Sequence, residues 1–245
     1  MELFGKILLI TAISLALFGE TLSKIPNYIK VCRASDPRVT QCIATSIKDL
    51  LPKLKNGIRE LDLPPIEPLH LHNIKLSTGK HSNISNLYVY GITTFKLTDL
   101  KTDVVHNRFM FKSVAPTLHF NGNYDLDMKL VFIPIKGQGK ISGVLNNFHA
   151  DGMMHGKKIW RNGKQYLHFQ KFQLKMHSAD AKLQLDNLFG GDPFLGQVTN
   201  SVINSNINVI MDDIMPALEN SLSQDLTSIA NKIMDRFTYD ELFPQ

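Results

Sequence analysis

Cysteine is scarce in this chain of 245 residues: only Cys32 and Cys42 carry a thiol, so at most one disulfide can form. No Gly-x-Ser-x-Gly elbow and no His-Glu-x-x-His helix occurs, which removes the commonest signals of secreted esterases and zinc hydrolases. Gly137-Gln138-Gly139 stands at the wrong spacing from Gly143 for a dinucleotide fingerprint and reads as a turn between strands. His70 and His72 share one strand face without a third ligand at diagnostic spacing, and Asp125 and Asp127 share a polar, solvent-directed face. Basic residues interleaved with aromatics are missing as well. The formal charge of +5 is spread out, and its densest group, Lys157, Lys158, Arg161 and Lys164, flanks a turn at Asn162-Gly163. That reads as a solvated hairpin end, with contact to an acidic membrane as the alternative, and excludes a nucleic-acid module. These absences predict a protein that is not an enzyme and that uses no metal and no cofactor.

What is present begins with a targeting signal. Ile7 to Phe18 is an apolar run too short to span a bilayer, preceded by Lys6 and followed by small or polar residues from Gly19 to Ser23. Residues 1–19 are read as a secretory signal peptide, with cleavage between 19 and 23, and residues 20–245 as a single domain. No other apolar stretch is long enough for a membrane span, so a soluble, extracellular product is expected. In that oxidising setting Cys32 and Cys42 pair as a disulfide, two unpaired buried thiols being the alternative. Asn83-Ile84-Ser85 is the one glycosylation sequon and would mark an exposed loop at Asn83.

Asp36-Pro37 resembles a helix N-cap followed by proline at the first helical position, and Val39, Ile43, Ile47, Leu50, Leu54 and Ile58 recur at helical spacing. Pro52 should bend this helix and Gly57 should end it. Leu63-Pro64-Pro65-Ile66-Glu67-Pro68 is then a rigid extended lead-in. From about Leu69 to Leu188 the apolar residues alternate, with turn signals at Ser77 to Lys80, Asn121 to Asn123, Gly137 to Gly139 and Asn162-Gly163, which predicts an antiparallel meander. Leu118, Phe120, Tyr124, Leu126, Met128, Leu130 and Phe132 fall on one parity of one long strand. Leu167 and Phe169 are out of step with Phe172, and a bulge near Gln170 would reconcile them while curling the sheet. From Leu195 to Phe237 apolar residues step by three or four, predicting a long one-striped helix of roughly 60 Å that Pro216 should kink or divide. Asn204, Asn206 and Asn208 are poor helix formers, so tertiary burial must hold it together.

A curved sheet with one apolar face, followed by such a helix, is economically satisfied if the sheet wraps the helix. The sequence resembles the takeout and juvenile hormone binding protein family of insects. The matching pieces are the signal with Cys32 and Cys42, the run Leu61-Asp62-Leu63-Pro64-Pro65-Ile66-Glu67-Pro68-Leu69, the segment GNYDLDMKLVFIPIKGQG, Leu185-Asp186-Asn187-Leu188-Phe189, the long helix, and the ending Asp240-Glu241-Leu242-Phe243-Pro244. They cover essentially the whole mature chain. The resemblance implies an α+β fold of the tubular lipid-binding kind: a long C-terminal helix wrapped by a strongly curved antiparallel β-sheet, with a shorter N-terminal helix and an apolar tunnel. It also implies a secreted, monomeric carrier for a small hydrophobic ligand. High-affinity hormone carriers of the family usually have a second disulfide, so its absence leans this chain toward the takeout-like branch.

The residues expected to line the tunnel are Phe109, Phe111, Leu118, Phe120, Tyr124, Leu126, Met128, Leu130, Phe132, Phe172, Leu174, Leu195, Val198, Val202, Ile210 and Ile214. Burying about 300 Å² of apolar ligand at about 25 cal/mol/Å² supplies roughly 7 kcal/mol before association costs. Tight selection therefore needs polar groups as well, the candidates being Tyr88, Tyr90, Tyr124, Tyr166, His119 and His168. Engagement of a membrane or receptor through the Lys157–Lys164 group is the second expectation, from a different class.

Overall fold

The computed structural model describes residues 25–76, 82–130 and 133–245. The expected signal peptide, the turn at Ser77 to Lys80, Phe132 and the side chain of Leu130 lie outside the described residues. The fold is α+β: helix α1 (Val39–Lys55), strands β1 (Leu69–Lys75), β2 (Asn83–Tyr90), β3 (Lys96–Asp103), β4 (Arg108–Leu130), β5 (Ile133–Arg161), β6 (Lys164–Phe169) and β7 (Gln173–Leu185), then helices α2 (Pro193–Ser205), α3 (Ile207–Met234) and α4 (Tyr239–Leu242). The strands make one strongly curved antiparallel sheet in the order β1-β2-β4-β5-β6, with β3 also on β4 and β7 also on β5. Its concave face holds α3.

Strands β4 and β5 form the spine, paired from Arg108↔His155 to Leu130↔Ile133. Two expected turns are corrected by this pairing. Asn121 to Asn123 continue β4, because the bulge at Asn86 (φ 48°) in β2 brings the Leu87 Cα within 3.0 Å of where a β-carbon on Gly122 would sit. Gly137 to Gly139 continue β5, because the chain leaving β7 passes so close that a β-carbon on Gly139 would meet the Asp186 carbonyl at 2.2 Å. Glycine marks close backbone approach at both places, not reversal. Asn162 and Gly163, with φ of 48° and 75°, do form the β5–β6 turn. Asn83 also departs from expectation: it opens β2 and pairs with both Lys75 and Asp125, so it is in the sheet and not in a loop.

Halfway along the spine the inward parity changes. Ala115 and Leu118 both face the interior, as do Leu145 and Phe148, since the ladder skips Pro116 and Asn147. Pro116 has no N–H to give, and Asn147 takes a left-handed φ of 47°. A second slip occurs where β6 passes into β7 along the same edge of β5. Phe169 pairs with Gly156 and Gln173 with Met153, which sets residues 170–172 against 154–155, the one extra residue of the bulge expected near Gln170.

The free edge of β6 and β7 is closed by helix side chains, not by another strand. The Asn200 amide accepts from Leu185 N–H and donates to Leu185 C=O, both at 2.9 Å. Asn204 does the same for Leu183, and Asn231 for Phe169. Between them Glu219 accepts from Met176 N–H and Thr227 from Phe172 N–H. Edge strands need such cover, and the asparagines that weaken a helix on propensity supply it here.

This seam changes the long helix in two ways. The break falls at Asn206, between α2 and α3, while Pro216 lies inside α3. On α2 the polar residues Thr199 and Asn200 turn inward with Ile203, so the apolar residues Leu195, Val198 and Val202 are left on the outward face with 45, 46 and 37% exposure. These three residues are corrected from expected tunnel wall to surface.

Helix α1 begins two residues later than expected. The Asp36 carboxylate accepts from Arg38 N–H at 2.8 Å, so Pro37 sits in a turn before the helix instead of in its first turn. Cys32 and Cys42 are joined in a disulfide that staples α1 to the preceding segment. A loop this short contributes about 2 to 3 kcal/mol.

Candidate functional site

Two chambers lie between α3 and the concave sheet. The larger, of about 340 Å³, is bounded by Ile43 and Ile47 of α1, the apolar faces of β3, β4 and β5, and Leu222 and Leu226 of α3. The smaller, of about 110 Å³, continues toward Leu183, Met211 and Met215. Leu69, Ile92, Leu118, Phe148, Met176 and Leu222 belong to both walls, so the chambers meet at the level of the parity change. Packed clusters close the two ends. One gathers Tyr124, Leu126, Met128, Ile203 and Ile210, the other Phe169, Phe172 and Tyr239.

Of the expected wall residues, Phe109, Phe111, Leu118, Phe120, Leu174 and Ile214 face a chamber. Tyr124, Leu126, Met128, Ile210 and Phe172 are instead packed into the end clusters. Two glycines make room for the wall aromatics: Gly152 lies directly across from Phe111 and Gly143 across from Phe120, and each ring covers the position a side chain would fill.

None of the tyrosines or histidines proposed as polar anchors lines a chamber. Tyr124 donates its hydroxyl to the Asp186 carbonyl at 2.6 Å, and burial together with the Asp186 charge pushes its phenol up to about 12. His70 stacks on Tyr88 and meets Asn86 at 3.3 Å. Among the described residues the single polar side chain on either wall is Ser113. Sequence reasoning passed over it, although the alternation Phe109, Phe111, Ser113 places it on the inward face.

Glu67 joins two segments of the larger chamber's wall. Its carboxylate accepts from Gly91 N–H at 2.7 Å, Thr93 N–H at 3.0 Å and the Thr93 hydroxyl at 3.1 Å, tying the lead-in at Ile66 to the turn at Ile92. Burial raises the carboxyl, but these hydrogen bonds and the Lys55 charge outweigh it and hold Glu67 below the ordinary glutamate range. A carboxyl depressed on folding stabilises fully above its unfolded pKa of about 4.3 and loses that contribution as pH falls through the lower folded value. Thermal melts should therefore show native protein losing more stability than Glu67→Gln below about pH 4.3. Parallel curves for the two proteins would remove Glu67 as the acid-sensitive tie.

The basic hairpin end is partly committed within the chain. Lys158 sits 3.7 Å over the Tyr239 ring, and Arg161 pairs with Asp235 at 2.9 Å, which docks the hairpin on the C-terminal segment. Among the described residues no helix is long and apolar enough to cross a membrane, and no group of three or more His, Cys, Asp or Glu residues could hold a metal ion.

An internal apolar cavity between a wrapped helix and a curved sheet defines a protein built to enclose a guest. The sequence profile of the family described as haemolymph juvenile hormone binding protein (JHBP) matches residues 7–244, and the chain belongs to that family. The circadian clock-controlled protein daywake of Drosophila melanogaster is 24% identical over 239 residues, spanning 89% of this chain and 88% of the fly protein. Its Drosophila yakuba counterpart is 22% identical over 232 residues, again spanning 89% of this chain and 88% of the relative. The crystal structure of Epiphyas postvittana Takeout 1 shares the fold with a TM-score of 0.76 at 16% identity, covering 89% of this chain and all of that one.

Proposed function

We propose that this protein is a secreted, monomeric carrier that encloses a small hydrophobic ligand of the juvenile hormone, fatty acid or terpenoid kind, without catalysing a reaction. The observation that carries this reading is the pair of adjoining chambers, whose larger member alone falls in the range of about 300–1,000 Å³ usual for small-molecule pockets. Membership of a family described by hormone binding supports the same conclusion. The contacts would come from Phe109, Phe111, Leu118, Phe120, Leu174 and Ile214, with methionines 154, 176, 211 and 215 as adaptable filler. The commitment of Lys158 and Arg161 to internal contacts makes a dedicated lipid-surface role the weaker reading.

An uncharged naphthylamine probe should shift to the blue and brighten on titration with the protein, saturating at micromolar concentration. Organic extraction of protein purified from its source should release a lipid. Failure of every apolar guest to bind at micromolar concentration would overturn the carrier reading.

A further inference from the structure

The chemistry of the chamber walls narrows the ligand class, an inference that rests on the carrier reading above. Neither wall contains a Lys, Arg or His side chain among the described residues. Ser113, 9% exposed, donates its hydroxyl proton to the Ala150 carbonyl at 3.1 Å across the β4/β5 pair. With its proton committed, the Ser113 oxygen still has lone-pair capacity and can accept from a guest hydroxyl at no loss to itself. A guest carbonyl could be served only by taking that proton away from Ala150, an exchange with no net gain.

Two carboxylates border the chambers, and the cation beside each, Lys55 for Glu67 and Lys175 for Glu219, is on neither wall. Glu67 holds the residues on both sides of Ile92, and Glu219 of α3 accepts from Met176 N–H, while Ile92 and Met176 both stand where the chambers meet. The cation paired with Glu219, Lys175, keeps its side chain 84% exposed on the outside of the sheet. A guest carboxylate would thus enter an apolar space with no cation on its wall. Burial of an unpaired charge under those conditions is met by protonation.

We propose that the chambers select uncharged lipids bearing one hydroxyl, a long-chain or terpenoid alcohol anchored at Ser113, and reject the carboxylate of the same chain. The test is displacement of the uncharged naphthylamine probe by dodecan-1-ol, dodecanoic acid and methyl dodecanoate between pH 6 and 8. Alcohol and ester should each compete independently of pH, the alcohol about tenfold more tightly, whereas the apparent affinity of the acid should fall about tenfold per pH unit because only its protonated form enters. Ser113→Ala should weaken the alcohol about tenfold and leave the ester, which has no donor, unchanged. Ser113→Cys serves as the second variant, and the pH series on the native protein needs no variant at all. Tight, pH-independent binding of the acid overturns the charge selection, and an unchanged alcohol affinity in both variants overturns the anchor. If neither the probe nor any of the three guests binds, it is the carrier reading itself that falls.

Discussion

Replacing Gly152 with alanine is expected to lower the affinity for an apolar probe roughly tenfold or more while leaving the protein folded. A β-carbon at Gly152 would stand 2.2 Å from both Cε1 and Cζ of Phe111, so the ring has to move. The sheet lies behind it, and the space it can enter is the larger chamber. Overpacking of this kind costs about 1–3 kcal/mol when nothing can yield, and less here because the void accepts the ring. Stability should therefore drop modestly while room for a guest is lost. Adding Phe111→Leu to Gly152→Ala should restore binding, a coupling that a double-mutant cycle measures directly. Unchanged probe affinity in Gly152→Ala would show that the guest does not occupy this chamber.

The second large effect concerns the seam between helix and sheet. Asn200→Ala is expected to destabilise the fold by about 3–5 kcal/mol, because both the N–H and the C=O of Leu185, itself 2% exposed, lose their partners in a buried setting. For a chain of this size that corresponds to a fall in Tm on the order of 10 °C. Asn206→Ala is the matched control: its exposed amide donates to the Val202 carbonyl near the end of α2 and touches no strand edge among the described residues, so it should change little. Chemical denaturation of the two variants side by side checks the claim. Equal midpoints would mean that the asparagine bonds contribute nothing beyond what water supplies.

Much of the architecture was legible because long amphipathic patterns carry most of the burial. The alternation through Leu118, Phe120, Tyr124, Leu126 and Met128 and the three-four stepping of Ile203, Ile207, Ile210 and Ile214 are direct records of which side faces the interior. The mismatch between Phe169 and Phe172 reported a bulge for the same reason. Periodicity failed where backbone hydrogen bonding overrode it. On α2 the exposed strand edge required amides, so asparagine went inward and Leu195, Val198 and Val202 outward, the reverse of what hydrophobic stepping suggests. It failed again at the glycines of 137–139, since a residue chosen for close passage of another segment is locally indistinguishable from one chosen for a turn. The parity change at Pro116 did leave a trace, because Phe111 and Leu118 cannot share a face on an unbroken strand. Which wall residues border empty space and which fill it, as with Leu118 against Tyr124, depends on how facing volumes sum in three dimensions, and no single-strand pattern contains that.

The seam also fixes an order of events during synthesis. Residues 169–185 emerge from the ribosome before the asparagines at 200, 204 and 231 that satisfy their outer edge, and Tyr239 reaches back to the Val104 carbonyl across most of the domain. Until those last residues arrive, the nascent sheet carries a raw, sticky border of the kind that recruits other chains. A chain that ends early in α3, before Asn231, would leave Phe169 without its cover and is expected to aggregate where the full chain does not.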